Sequence, residues 1–180
     1  MSKLSKRISF IKSEAIFSDD DSHRYLLSRL WDNEEQEQER KPTATVIMLN
    51  PSYANEIKYD NSSVKVMNFL VDEGYGGVTI INLFSFVETD SKKLPPYDQR
   101  YDNNTNMYIE KSVEQNQVII LAWGSNKNRI RRINFLKKIL KKQKKKKTIY
   151  RLTDSDNNIK HVIYLNKLLH LEPIRKIDDI

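Results

Sequence analysis

The sequence predicts an α/β domain, a three-layer sandwich in which helices cover both faces of a mainly parallel sheet. Three observations carry that prediction. Ala44–Leu49, Val78–Leu83 and Gln117–Gly124 are runs without charge, as strands buried on both faces require. Each run stops abruptly, at Asn50-Pro51, at Asn82 and at Gly124. The stretches between them carry apolar residues at helical spacing, and strands alternating with helices imply right-handed crossovers.

Taken in order, the first dozen residues are basic and polar, a composition compatible with disorder. Glu14–Ser18 and His23–Trp31 read as two strands joined at Asp19-Asp20-Asp21-Ser22. In the second, Tyr25, Leu27 and Arg29 alternate with Arg24, Leu26 and Ser28. Asp32–Arg40 holds five acids and is expected to be a solvated loop. Pro51 cannot extend a ladder and holds Asn50 extended. That puts a short polar side chain at the carboxyl end of a buried strand, where open α/β sheets bind ligands. A plain Asx-Pro turn has the same signature.

Asn61 or Ser62 can cap a helix to Glu73, with Val64, Met67, Phe69, Leu70 and Val71 on its apolar side. Gly74-Tyr75-Gly76-Gly77 ends it. Phe84–Arg100 is a long loop, a length that tends to carry function. Asn103–Gln115 reads as a helix, and so does Ser125–Lys142, where Ile130, Ile133, Leu136, Ile139 and Leu140 share a face. Thr148–Leu152 is a short strand. Lys160–Leu165 is a further apolar run, with a closing helix around Asn166–His170.

The 180 residues suit one domain spanning the whole chain. With no cysteine, disulfides and thiolate metal sites are excluded, and His23, His161 and His170 make no metal-ligand spacing. No run reaches membrane-spanning length and no signal-peptide core is seen, so a soluble cytoplasmic protein is expected. The net charge of +7 is unevenly spread. Between Ser125 and Tyr150 lie twelve Lys and Arg and no acid, which leaves −5 for the rest. The tract reads as a solvated helix face, a basic linker or a phosphate-binding surface. Twelve uncompensated cations exceed what solubility needs, which favours the last, with no sequence preference implied.

Several motifs taken together resemble the uracil-DNA glycosylase superfamily. They are Asn50-Pro51 after a buried strand, Ile-Ile-Asn82 ending the next, Leu121-Ala122-Trp123-Gly124-Ser125 ending the third, and a late histidine, His161. A closer likeness is to an uncharacterised bacterial and phage domain family within or near that superfamily. Its pattern includes Arg-Tyr-x-Leu-x-Arg-x-Trp (Arg24 to Trp31), Met-Leu-Asn-Pro-Ser (Met48 to Ser52), Gly-Tyr-Gly-Gly, Asn-Leu-Phe (Asn82 to Phe84) and Thr89-Asp90. The likeness runs from about Ala15 to Leu169 and implies a uracil-DNA glycosylase-like fold.

The resemblance implies roles. Asn50 would hold the attacking water, Asn82 would read the Watson–Crick edge of an extruded pyrimidine, and His161 would donate to the carbonyl where charge builds. Leu165 would fill the vacated stack. Asn50 cannot act as a general base, since an amide takes up no proton near neutral pH, but its carbonyl can orient water. Asp60 and Asp90 are the carboxylates placed to activate that water. Helix capping or turn stabilisation explains Asp60 somewhat better than this role does, and Asp90 equally well. Tyr53, Tyr59 and Phe84 are within reach for stacking, and each is as well explained by packing. Trp123 reads as core.

Two departures bear on specificity. Val162 stands where the superfamily has proline. Ser52 follows Pro51 where uracil-specific members place a tyrosine that blocks pyrimidine C5 groups. The expected activity is therefore hydrolysis of the N-glycosidic bond of a damaged or C5-modified pyrimidine in DNA, with no metal or organic cofactor. Defence against phage with modified DNA is the role that the resemblance suggests. DNA contacts are expected from Ser125, Lys127, Arg129, Arg131, Arg132 and the 125–150 patch. A hydrolase of RNA or free nucleotides, and a non-catalytic nucleic-acid module, are the alternatives.

Overall fold

A computed structural model describes residues 4–32, 40–124, 129–153, 159–162 and 170–180. Among them, seven strands form one sheet: β1 (Lys12–Phe17), β2 (Arg24–Leu30), β3 (Thr43–Met48), β4 (Gly77–Asn82), β5 (Val118–Leu121), β6 (Thr148–Thr153) and β7 (His170–Pro173). The helices are α1 (Asn61–Asp72), α2 (Asn103–Gln115) and α3 (Ile130–Lys141). The strand order is β1-β2-β4-β3-β5-β6-β7.

The four central strands are parallel, while β1-β2, β2-β4 and β6-β7 pair antiparallel. The sheet is therefore mixed. The expectation of a mainly parallel sheet holds for its centre alone. The hairpin β1-β2 and strand β7 cap both edges, where no crossover helix is needed to reverse the chain.

Side-chain parity explains the layers. Val46, Met48, Val78, Ile80, Ile120 and Ala122 pack with Val66, Met67 and Leu70 of α1. Their neighbours Ile47, Ile81, Ile119 and Leu121 pack with Ile109 and Val113 of α2 and with Leu136 and Ile139 of α3. Successive residues of a strand feed opposite faces, and these runs carry apolar residues of both parities and no charge, so helices cover both.

The order also fixes where a site can form. The chain steps from β3 to β4 on one side, then back across β3 to β5 on the other. Right-handed crossovers in opposite directions put α1 and α2 on opposite faces. The connections then diverge between the carboxyl ends of β3 and β5, which leaves a crevice there.

Other expectations meet the structure unevenly. α3 begins at Ile130, later than its expected start, with residues 125–128 outside the described set. His170 lies in β7, paired with Thr153 of β6, and not in a closing helix. His161 forms an isolated bridge with Trp123, and Leu165 lies outside the described residues. Among the described residues, no helix is long and apolar enough to cross a membrane.

Candidate functional site

A cleft of about 360 Å³ opens at the predicted crevice, a volume suited to a small ligand. Asn50, Ser52, Asp60, Glu88, His161 and Arg24 supply its polar lining. Asn50 lies two residues past the end of β3. His161 reaches the same place because its backbone pairs with Trp123 just past β5. Gly124 makes that approach possible: its φ is +75°, and a Cβ there would lie 3.0 Å from the His161 Cβ. Asp60 caps α1, accepting from the Ser63 amide at 2.6 Å while Ser63 Oγ accepts from the Asp60 amide. The first turn of α1 thus faces the cleft, with Asn61 and Ser62 beside Asp60.

Arg24 enters the cleft through a change of register. Ile16 pairs with Leu26, but Phe17 pairs with Arg24, so Tyr25 is an extra residue in β2. Such a bulge reverses side-chain parity. Tyr25 consequently turns to α2, stacking on Tyr108 and donating to Asp102 at 2.7 Å. Leu27 packs in the α1-side core and Arg29 reaches Met67 of α1. Simple alternation would have put Arg24 opposite Arg29.

The two arginines hold the loop that walls the cleft. Arg24 Nη1 donates to the carbonyls of Ala54 at 2.9 Å and Ser52 at 3.4 Å. Arg29 Nη2 donates to those of Asn55 and Lys58, each at 3.0 Å, and its guanidinium lies 3.6 Å from the Tyr59 ring centre. Arg24 is only 3% exposed. Burial lowers its pKa to about 10, with Asp60 opposing and Arg29 adding to the shift, so it stays a cation at neutral pH. Sequence reasoning passed over both residues as motif markers; charge inside an otherwise buried strand was the signal.

His161 is held below the ordinary imidazole pKa chiefly by burial, which the charge of Asp60 only partly offsets. It is therefore neutral at pH 7 and can donate or accept one hydrogen bond without releasing a net charge.

The other expected site residues are placed as follows. Asn82 is buried and outside the cleft lining; its Oδ1 accepts from Arg24 Nη2 at 3.3 Å, and its Nδ2 is unpartnered. Asp90 caps a single turn at Ser91–Lys93, accepting from the Lys92 amide at 3.0 Å, and does not line the cleft. Of the two carboxylates weighed from sequence, Asp60 is the one in the cleft. Phe84 is core, edge-on to Tyr97 and Tyr101. Tyr53 is exposed on the cleft loop, donating to Glu88 at 3.3 Å. Among the described residues, no cluster of three His, Asp or Glu could hold a metal ion.

The family described as a protein of unknown function (DUF1643) matches residues 24–161, most of the chain. The chain belongs to the DUF1643 family. No curated protein matches it. The DUF1643 span opens on Arg24 and closes on His161, two residues that meet in the cleft. Nothing in this match links DUF1643 to the uracil-DNA glycosylase superfamily, so that likeness rests on the motifs alone.

The basic tract of this DUF1643 chain is divided between the two edges of the sheet. α3 starts at the carboxyl edge, where the cleft is, and ends at the amino edge. Arg129 and Arg131 lie at its start, Arg131 5.6 Å from the Tyr97 ring centre. Arg132 was expected to face DNA, but it is buried: Nε donates to Leu83 at 2.7 Å, Nη1 to Asn106 at 2.6 Å, and the guanidinium lies against Tyr101 and Phe135. Ser125 and Lys127 lie outside the described residues. Lys142, Lys144, Lys145 and Lys147 line a separate hollow with Glu110 and Glu114. Lys147 Nζ donates to the carbonyls of Glu114 and Asn116, where β5 begins. The lysine-rich end is therefore across the sheet from the cleft.

Proposed function

We propose that this DUF1643 protein hydrolyses the N-glycosidic bond of a pyrimidine enlarged at C5, within DNA. The observation that carries the reading is that Asn50 and His161, far apart in the chain, line one cleft together with Asp60. Breaking the bond builds positive charge on the sugar and negative charge on the base. Fixed dipoles and charges in a sheltered site stabilise such separation best. The Asn50 carbonyl orients the water, and Asp60, one of the two carboxylates lining the cleft with Glu88, accepts its proton. The neutral His161 ring offers an N–H to the base. Ser52 leaves space beside C5. The base must first leave the helix, at a cost of a few kcal/mol. Removal of modified bases from invading phage DNA would be its use. No metal or organic cofactor is part of the proposal.

A second reading, a hydrolase of free pyrimidine nucleosides or nucleotides, is favoured by the lysine-rich end lying away from the cleft. One experiment separates them. The protein is incubated with phage DNAs carrying different pyrimidine modifications and with the matching nucleosides, and abasic sites and released bases are measured. Abasic sites lost in Asn50→Ala support the first reading, and release from nucleosides alone supports the second. Inertness on every substrate, with binding retained, leaves a non-catalytic binding module.

A further inference from the structure

We propose that Arg24 takes up the negative charge of the departing base, with Asn82 as the residue that positions it. This rests on the glycosidic-hydrolysis reading and gives a role to Arg24, a residue that the motif likeness contains but leaves without one. In the step itself the C1′–N1 bond breaks and its electron pair stays on N1 of the base, delocalised onto the exocyclic carbonyl oxygens. The water oxygen bonds to C1′, and its proton, passed through Asp60, ends on the base. Between these events the base is an anion.

Arg24 is built to meet that anion. It lines the cleft and is nearly fully buried, and among the described residues it is in neither of the ion pairs, Lys141–Asp178 and Arg151–Glu172. Its two terminal nitrogens are fixed by the carbonyls of Ala54 and Ser52 and by Asn82 Oδ1, while Nε has no partner. Neutral oxygens orient a guanidinium without cancelling its charge, which a carboxylate in their place would do. Asp60 and Arg29 are the charged groups that act on it, with opposite sign. The bulge at Tyr25 then has a purpose, because without it Arg24 would face α2.

Asn82→Asp tests this without removing the arginine. The substitution keeps the shape and converts the neutral acceptor into a counter-ion, so kcat is expected to fall by about 10²–10³-fold. The fall should be the same for every accepted pyrimidine, with the melting temperature unchanged or raised. Arg24→Gln should lose turnover as well; Asn82→Asp covers the case in which that variant fails to fold.

A binding measurement has no chemistry in it. If the site holds the base as its anion, wild-type affinity for free uracil or 5-hydroxymethyluracil rises by about tenfold per pH unit below the base's own pKa. Asn82→Asp should flatten that rise. Wild-type turnover kept by a folded Asn82→Asp protein, or a changed base preference at unchanged kcat, overturns the role of Arg24 and leaves the hydrolase reading standing. A wild-type protein that forms no abasic site and frees no base overturns both.

Discussion

Replacing Lys144, Lys145 and Lys146 together with glutamine separates what the cleft does from what the basic tract does. All three are exposed and lie between α3 and the first residue of β6. From that edge to Trp123 and His161 the chain runs about six residues of extended strand at ~3.3 Å each, roughly 20 Å. At that distance one unit charge in water contributes about 0.2 kcal/mol, and a Debye length of ~8 Å cuts this to about 0.02. Three charges together stay below ~0.1 kcal/mol, a rate change of about 1.2-fold. Turnover of a trinucleotide carrying the modified pyrimidine should therefore match wild type. Long duplex DNA should behave differently. If each lysine neutralises one phosphate, raising salt from about 50 to 200 mM weakens wild-type binding by ~40-fold more than it weakens the variant. Fluorescence anisotropy across that salt range measures the slope, and base release measures the turnover. A loss above about threefold on the trinucleotide would refute the reasoning, because it would mean that the tract acts at the cleft.

Two further outcomes concern the geometry around His161. Gly124→Ala forces a left-handed backbone on a residue with a Cβ that meets His161 at 3.0 Å; the backbone cost is about 1–2 kcal/mol, read by urea melts, and turnover should fall by more than stability does. Because burial lowers the His161 pKa, the unfolded chain binds more protons there than the folded one just below the ordinary value. Stability therefore rises with pH through that window and is lost as pH falls from about 6.5 toward the lowered value. Melts at about pH 5.5 and 7.5 should show a slope that His161→Asn reduces.

The centre of the sheet was legible because burial on both faces writes itself as an uninterrupted apolar run. Met48, Ile47 and Ile81 could hardly sit anywhere else, and the polar residues that end those runs mark the crevice. Arg24 was illegible for a local reason. Alternation assigns faces only while the register holds, and one extra residue at Tyr25 reversed the assignment without any turn signal. Strand β7 was missed because an edge strand needs little apolar pattern: His170–Pro173 is only partly buried and gains its place by pairing with β6 and by the Arg151–Glu172 ion pair at 3.3 Å.

The basic tract misled in another way. Charge clustered in sequence need not be clustered in space when it runs along a crossover helix. Such a helix starts beside the exit of one strand and ends beside the entry of the next, so α3 carries its cations from the cleft edge to the opposite one. Arg129 and Arg131 share an edge with Asn50 and His161; Lys142 to Lys147 do not. A duplex gripped by the lysines would have to pass around the sheet to present a base to the cleft. On the glycosidic-hydrolysis reading, phosphate contacts that serve turnover would accordingly be those at the start of α3, whereas the lysine-rich end would be a separate hold on the same polyanion.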